Sequence, residues 1–137
     1  MKKPKQKGSI MEAQELLSQL NQFNWGTDEL HKSSSLTNRY LHTDGIQFLV
    51  ENAGCHWLID IVTSSYHILK DCGFQVWTIN KKGDRATVIC DDGDDNIIYQ
   101  QEIEYTDFPL DTFSFYCELG SIDGSKPYFF IMLKNER

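Results

Sequence analysis

The sequence predicts an α+β domain in which two to three N-terminal helices pack on one face of a four- to five-stranded, mainly antiparallel meander sheet. Three observations predict it. Apolar residues recur at three- and four-residue spacing as far as Gly73 and at every second position beyond it. Helices first and strands afterwards is the order of an α+β layer pair. A chain of 137 residues that is 40% hydrophobic is long enough to bury a core of its own.

The first helix is expected over about residues 10–23. Ser9-Ile10-Met11-Glu12 has the pattern of a capping box, and Ile10, Ala13, Leu16, Leu17, Leu20 and Phe23 follow at helical spacing. Residues 24–40 contain Gly26 and a serine run and lack a period, so they read as a surface loop with Trp25 and Leu30 as anchors. A second helix opens at Thr43 or Asp44, whose oxygens can accept from free backbone amides, and ends or kinks at Gly54. A third runs from Cys55 to Lys70 with Trp57, Leu58, Ile61, Val62, Ile68 and Leu69 on its apolar face, and stops at Asp71-Cys72-Gly73. Strands follow at Phe74–Asn80, Arg85–Cys90, Ile97–Glu102, Thr112–Glu118 and Tyr128–Leu133, with turn chemistry at Lys82-Gly83-Asp84, Asp92-Gly93-Asp94 and Ile122-Asp123-Gly124-Ser125. The division expected is a flexible basic arm over residues 1–8 and one domain over 9–137.

Charge narrows the partners. The net charge is −7, yet four lysines fall among the first seven residues, which leaves nine basic against twenty acidic residues, or −11, for the remainder. That field repels nucleic acid and anionic membrane and attracts basic surfaces, so no direct nucleic-acid binding by the folded part is expected. No apolar run approaches the ~20 residues that span a bilayer and the start lacks a signal peptide's apolar stretch, so a cytoplasmic protein is expected. Cys55, Cys72, Cys90 and Cys117 match no zinc-ligand spacing and read as reduced, mostly buried thiols.

GxSxG, P-loop, GxGxxG and HExxH patterns are all absent, and no cofactor is implied. The residues able to do acid–base or metal chemistry are Asp44, Asp60 and Asp107, with His42 or His56, provided that their side chains converge. On the third helix His56, Asp60 and His67 share a stripe opposite the apolar face, which reads as a solvated surface. Asp91, Asp92, Asp94 and Asp95 offer oxygens to a hard cation, but their register fits no calcium loop and a hairpin turn explains them without an ion. Tyr128-Phe129-Phe130-Ile131-Met132-Leu133 is apolar on both faces, which marks Tyr128 and Phe130 for self-association, including a homodimer, or for a protein partner. Asp92 and Asp94 are the matching candidates for a basic partner. The function expected is a non-catalytic protein-binding or regulatory module, with an inhibitor or nucleic-acid mimic as one version. The alternative is a small metal-dependent or acid–base hydrolase using Asp44, Asp60 and Asp107.

The segments Tyr40-Leu41-His42-Thr43-Asp44-Gly45-Ile46, Ala53-Gly54-Cys55-His56-Trp57-Leu58-Ile59-Asp60, Phe74-Gln75-Val76-Trp77 and Tyr105-Thr106-Asp107-Phe108-Pro109-Leu110 together resemble a family of uncharacterised bacterial proteins, a domain of unknown function. The resemblance spans about residues 20–118. It implies a small stand-alone cytoplasmic protein of bacterial or mobile-element genomes, with no assigned activity, cofactor or site residues. His42 and His56 depart from the family's pattern, which favours an aromatic or apolar residue there.

Overall fold

The computed structural model describes residues 10–34 and 37–137; the basic arm and the Ser9 end of the expected capping box lie outside the described residues. The chain is α+β, with four helices and a seven-stranded mixed sheet among the described residues. In chain order the elements are α1 (Ala13–Leu20), β1 (Leu30–Lys32), β2 (Tyr40–Thr43), α2 (Asp44–Ala53), α3 (His56–Ser64), α4 (Tyr66–Leu69), β3 (Phe74–Lys82), β4 (Arg85–Asp91), β5 (Ile97–Ile103), β6 (Thr112–Ser121) and β7 (Pro127–Leu133). A short 3-10 turn, Lys134–Glu136, follows β7.

The strand count and the meander expectation both need correction. The order across the sheet is β1-β2-β7-β6-β3-β4-β5. Only β3, β4 and β5 form a meander; β6 then returns to pair with β3, and β7 pairs antiparallel with β6. The connection from β5 to β6 can cross back because Thr106 N–H donates to Asp84 O at 2.7 Å while Phe108 and Leu110 bury their side chains. Residues 24–40 are not all loop, since β1 lies inside them and Tyr40 begins β2. Strand β2 lies parallel to β7, with Tyr40 beside Phe129 and His42 beside Ile131. Runs of three and four residues are too short to display a period, and the β2 partner lies almost ninety residues away.

Helices differ in detail as well. The first is shorter than residues 10–23, and its N-cap, Glu12, makes no side-chain cap bond. The third breaks at Ser65, whose buried hydroxyl donates back to Val62 O at 2.7 Å, a bond that competes with the helical ladder.

Strand alternation sorts the sheet into two faces. Trp77, Ile79, Val88, Cys90, Phe115, Cys117, Phe129 and Ile131 point to one face and join Leu16, Ile46, Leu49, Leu58 and Val62 from the helices in one core. Trp77 donates to Gln75 Oε1 at 2.9 Å, and Gln75 Nε2 donates to Cys72 O at 3.0 Å, so a buried amide ties the end of the helical half to the sheet. On the other face Phe74, Tyr116, Tyr128, Phe130 and Met132 are half-buried.

One carboxylate closes the fold at the β2–α2 junction. Glu136 Oε1 accepts from Thr43 Oγ1 at 2.5 Å and from Leu133 N at 3.0 Å, and its Oε2 accepts from Gly45 N at 3.0 Å. Gly45 is required by this approach, because a Cβ there would lie 2.5 Å from Glu136 Oε1 and against Leu133. Glu136→Ala strands three buried donors and is expected to lower unfolding free energy by roughly 3 kcal/mol. Gly45→Ala forces the junction apart and is expected to cost about 1–3 kcal/mol. Urea titration checks both, and wild-type midpoints would remove the junction from its role.

All four cysteines are free, with Cys55, Cys90 and Cys117 wholly buried and Cys72 half-buried. Burial pushes the Cys55 thiol up to about 12 and raises the other buried thiols strongly. In the native protein a disulfide reagent such as DTNB is expected to titrate Cys72 alone at an appreciable rate, and all four thiols in denaturant.

Candidate cation-binding site at the head of the second helix

The edge pair β1–β2 carries polar residues where its neighbours carry core. His31 lies opposite His42 in the antiparallel register, and alternation puts Glu29, His31 and Ser33 on one face together with Tyr40, His42 and Asp44. Tyr40 is buried core, stacked on Phe129 with centroids 5.3 Å apart. One step along, the same face turns polar.

Asp44 is the hub of this patch. It is the first residue of α2, whose opening amides are all occupied: Asp44 N by Thr27 Oγ1 at 2.8 Å, Gly45 N by Glu136, and Ile46 N by Thr43 Oγ1 at 3.4 Å. The Asp44 carboxylate therefore turns outward. Its Oδ2 accepts from Asp28 N at 3.1 Å and Glu29 N at 3.2 Å, and its Oδ1 faces His31 Nε2 at 2.8 Å. The His31 bond is the largest cause holding this carboxyl below the ordinary range; burial opposes it, and the Glu29 amide, Thr27 and the Asp28 amide add to it. Glu29 completes the group: one ligand atom each from Glu29, His31 and Asp44 lies within 4.8 Å of the others.

A second imidazole backs the first. His42 stacks on His31 with centroids 5.4 Å apart and planes 20° from parallel. Its Nε2 lies 2.6 Å from Gln47 Oε1 and its Nδ1 lies 2.8 Å from Ser33 Oγ. The amide oxygen of Gln47 calls for a proton on Nε2, which leaves Nδ1 to accept from the Ser33 hydroxyl. Burial is the largest cause lowering the His42 pKa, aided by the charges of His31 and His56. A Ser–His pair oriented by an amide rather than a carboxylate lacks the charge that would stabilise an imidazolium, so Ser33 has the geometry of a nucleophile without the electrostatics.

Beside Asp44 opens a cavity of about 320 Å³ lined by Gln22, Phe23, Asn24, Trp25, Gly26, Thr27, Asp28 and Asp44. Trp25 stands on its rim with 92% of its surface exposed and a φ of 62°, a left-handed conformation that costs a bulky residue energy. Its N–H is held by Asn135 O at 2.9 Å, which fixes the rim to the segment carrying Glu136.

The aspartates expected to converge form no ligand group as tight as that of Glu29, His31 and Asp44. Among the described residues the sole group of three or more potential ligands at that range is Glu29, His31 and Asp44, and neither Asp60 nor Asp107 belongs to it. Asp60 and His56 are exposed on α3. Asp107 follows β5 and is anchored through Thr106 to the β3–β4 turn, between the third and fourth strand positions from β2. At about 4.8 Å per strand that is roughly 14–19 Å across the sheet. In the β4–β5 hairpin Asp91 Oδ1 accepts from Gly93 N at 2.8 Å, and Asp92 accepts from Asp94 N at 2.9 Å and Asn96 Nδ2 at 2.9 Å. These carboxylates bind their own loop, with Asp94 and Asp95 exposed beside them.

Tyr128 and Phe130 pack edge-to-face at 6.2 Å on the sheet face away from the core. Lys126 lies 4.9 Å from the Tyr128 ring, and Arg137 lies 4.7 Å from Phe74 while pairing with Glu118 at 3.1 Å. Cations belonging to the chain itself therefore sit over several of these rings.

Glu29, His31, Ser33 and Gln47 escaped the sequence reading. A signal was present: Glu29-x-His31-x-Ser33 and His42-x-Asp44 alternate polar groups with period two, which marks paired strands whose inward face is polar.

The model of a family of unknown function, DUF6876, matches residues 14–137. The chain belongs to that family. No curated protein and no solved structure matches it. Residues 14–137 include every member of the Asp44 site. Among the described residues no helix is long and apolar enough to cross a membrane.

A histidine whose folded pKa is depressed stabilises the fold above its unfolded value, and that contribution is lost as pH falls through the folded one. Stability is accordingly expected to drop between about pH 7 and pH 5, and His42→Asn is expected to flatten that drop. Unfolding midpoints measured across this range test it; an unchanged slope in the variant would assign the titration elsewhere.

Proposed function

We propose that the protein is a non-catalytic binding module that receives a cationic side chain, lysine or arginine, of a protein partner in the cavity beside Asp44. The observation that carries this reading is the cavity's lining. It offers two carboxylates, Asp28 and Asp44, the amides of Gln22 and Asn24, and the exposed Trp25 ring, and among the described residues no lysine, arginine or histidine. A guanidinium or ammonium group gains from each: a carboxylate for its charge, amide oxygens for its donors, and an indole face for cation–π attraction. A net of −11 outside the lysine-rich start would steer a basic surface toward the cavity. The strain at Trp25 supports the reading too, because an exposed bulky residue at positive φ contributes nothing to the core.

An enzyme built on Asp44, Asp60 and Asp107 has no such support, since neither Asp60 nor Asp107 belongs to the ligand group at Asp44. Fluorescence of Trp25 offers a direct test with a short arginine- and lysine-containing peptide and an acidic peptide of equal length. The basic peptide is expected to bind with an affinity that falls as salt rises, and the acidic one not to bind. Trp25→Ala and Asp28→Asn are each expected to weaken binding about tenfold or more, followed by calorimetry where the fluorophore is lost. A salt-independent affinity, or equal binding by both peptides, would overturn the proposal.

A further inference from the structure

We infer that Glu29, His31 and Asp44 form a binding site for one divalent transition-metal ion of the zinc class. This goes beyond the cavity reading, with which it shares Asp44 while Glu29 and His31 belong to it alone.

The three ligands arrive from separate points of the chain: Glu29 just ahead of β1, His31 within it, and Asp44 at the first position of α2. Their ligand atoms nevertheless all lie within 4.8 Å of one another. Ligands bonded at about 2.0–2.1 Å to a tetrahedral ion stand roughly 3.3 Å apart, so His31 Nε2 and Asp44 Oδ1, now 2.8 Å apart, need only part slightly to admit one.

The surroundings are those of supported ligands. Asp44 would ligate through Oδ1 while Oδ2 keeps its bonds to the amides of Asp28 and Glu29, so binding need not release the loop. The His31 ring is held by its stack on His42, which Gln47 and Ser33 fix in turn. Such outer contacts orient metal ligands and are usual at working sites. Two carboxylates and an imidazole cancel a divalent charge and suit zinc better than magnesium or calcium, which prefer oxygen alone. Three protein ligands leave a position for water, as in the open sites of zinc enzymes.

The experiment is a calorimetric titration of the full chain with zinc chloride, with cobalt(II) absorption as a second readout and magnesium as the control. Expected are one zinc ion per chain, the intense visible bands of tetrahedral cobalt(II), no magnesium uptake, and at least a tenfold weaker zinc affinity in both His31→Gln and Glu29→Gln. Trp25→Ala is expected to keep zinc affinity unchanged while losing the basic peptide, which separates this site from the cavity reading. A Cys72→Ser variant that abolished uptake would place the ion on that thiol and overturn the inference. So would absence of zinc uptake, or uptake indifferent to His31→Gln in a variant whose amide spectrum shows it folded.

Discussion

The Glu136 carboxylate is the constraint on which the site depends. A chain that leaves a strand and enters a helix at once, as this one does between Thr43 and Asp44, has free amides at the turn and nothing local to satisfy them all. Thr43 can serve one, Thr27 serves a second, and Glu136 serves the third while also taking the Thr43 hydroxyl and the Leu133 amide. One buried side chain thereby joins the end of β7 to the start of α2. The parallel pairing of β2 with β7 and the aim of the Asp44 carboxylate are consequences of one junction.

Position in the sheet explains why chemistry collects here. Central strands β7, β6, β3 and β4 have neighbours on both edges and a helical layer over their core face, so their inward residues are apolar. Strand β1 is three residues long and lies at the edge, where the covering layer thins and half-exposed side chains can keep polar groups. Such a strand adds little packing. Its inward residue, His31, and the flanking Glu29 and Ser33 are free to be polar because the core does not require them, and the bonds of His31 to Asp44 and of Ser33 to His42 replace the apolar contacts that a central strand would make.

Much of the fold was legible because its signals are local. The period change at Gly73, the turns at Gly83 and Gly93, and the Thr43 cap are written in consecutive residues, and strands β3 to β7 fall where alternation puts them. What escaped was non-local. Nothing within Tyr40–Thr43 announces that its partner is β7, and the return of β6 to β3 depends on Phe108 and Leu110 finding the core. The site was legible in one residue of three: Asp44 stood out as a helix cap and carboxylate, whereas His31 and Glu29 lay in a segment whose Gly26 and serine run read as loop. Asp60 and Asp107 drew attention by type alone, which says nothing of where a sheet will carry them.

Asp44 also makes the cavity and the three-ligand cluster one system. Its two oxygens face different ways: Oδ2 holds the amides of the loop that lines the cavity, and Oδ1 faces His31. An ion at Oδ1 would withdraw negative charge from the carboxylate that a guest cation in the cavity must use, so each occupant would weaken the other, and by equal factors. The ion would also secure the Asp28–Glu29 turn, and with it the lining of the cavity, by lending its own bonds to a loop otherwise held by a few hydrogen bonds. The sign of the coupling is set by which effect is larger. Charge would act across one carboxylate group, whereas ordering would act on a turn already fixed by Thr27 and Asp44, so electrostatic opposition would be the larger effect.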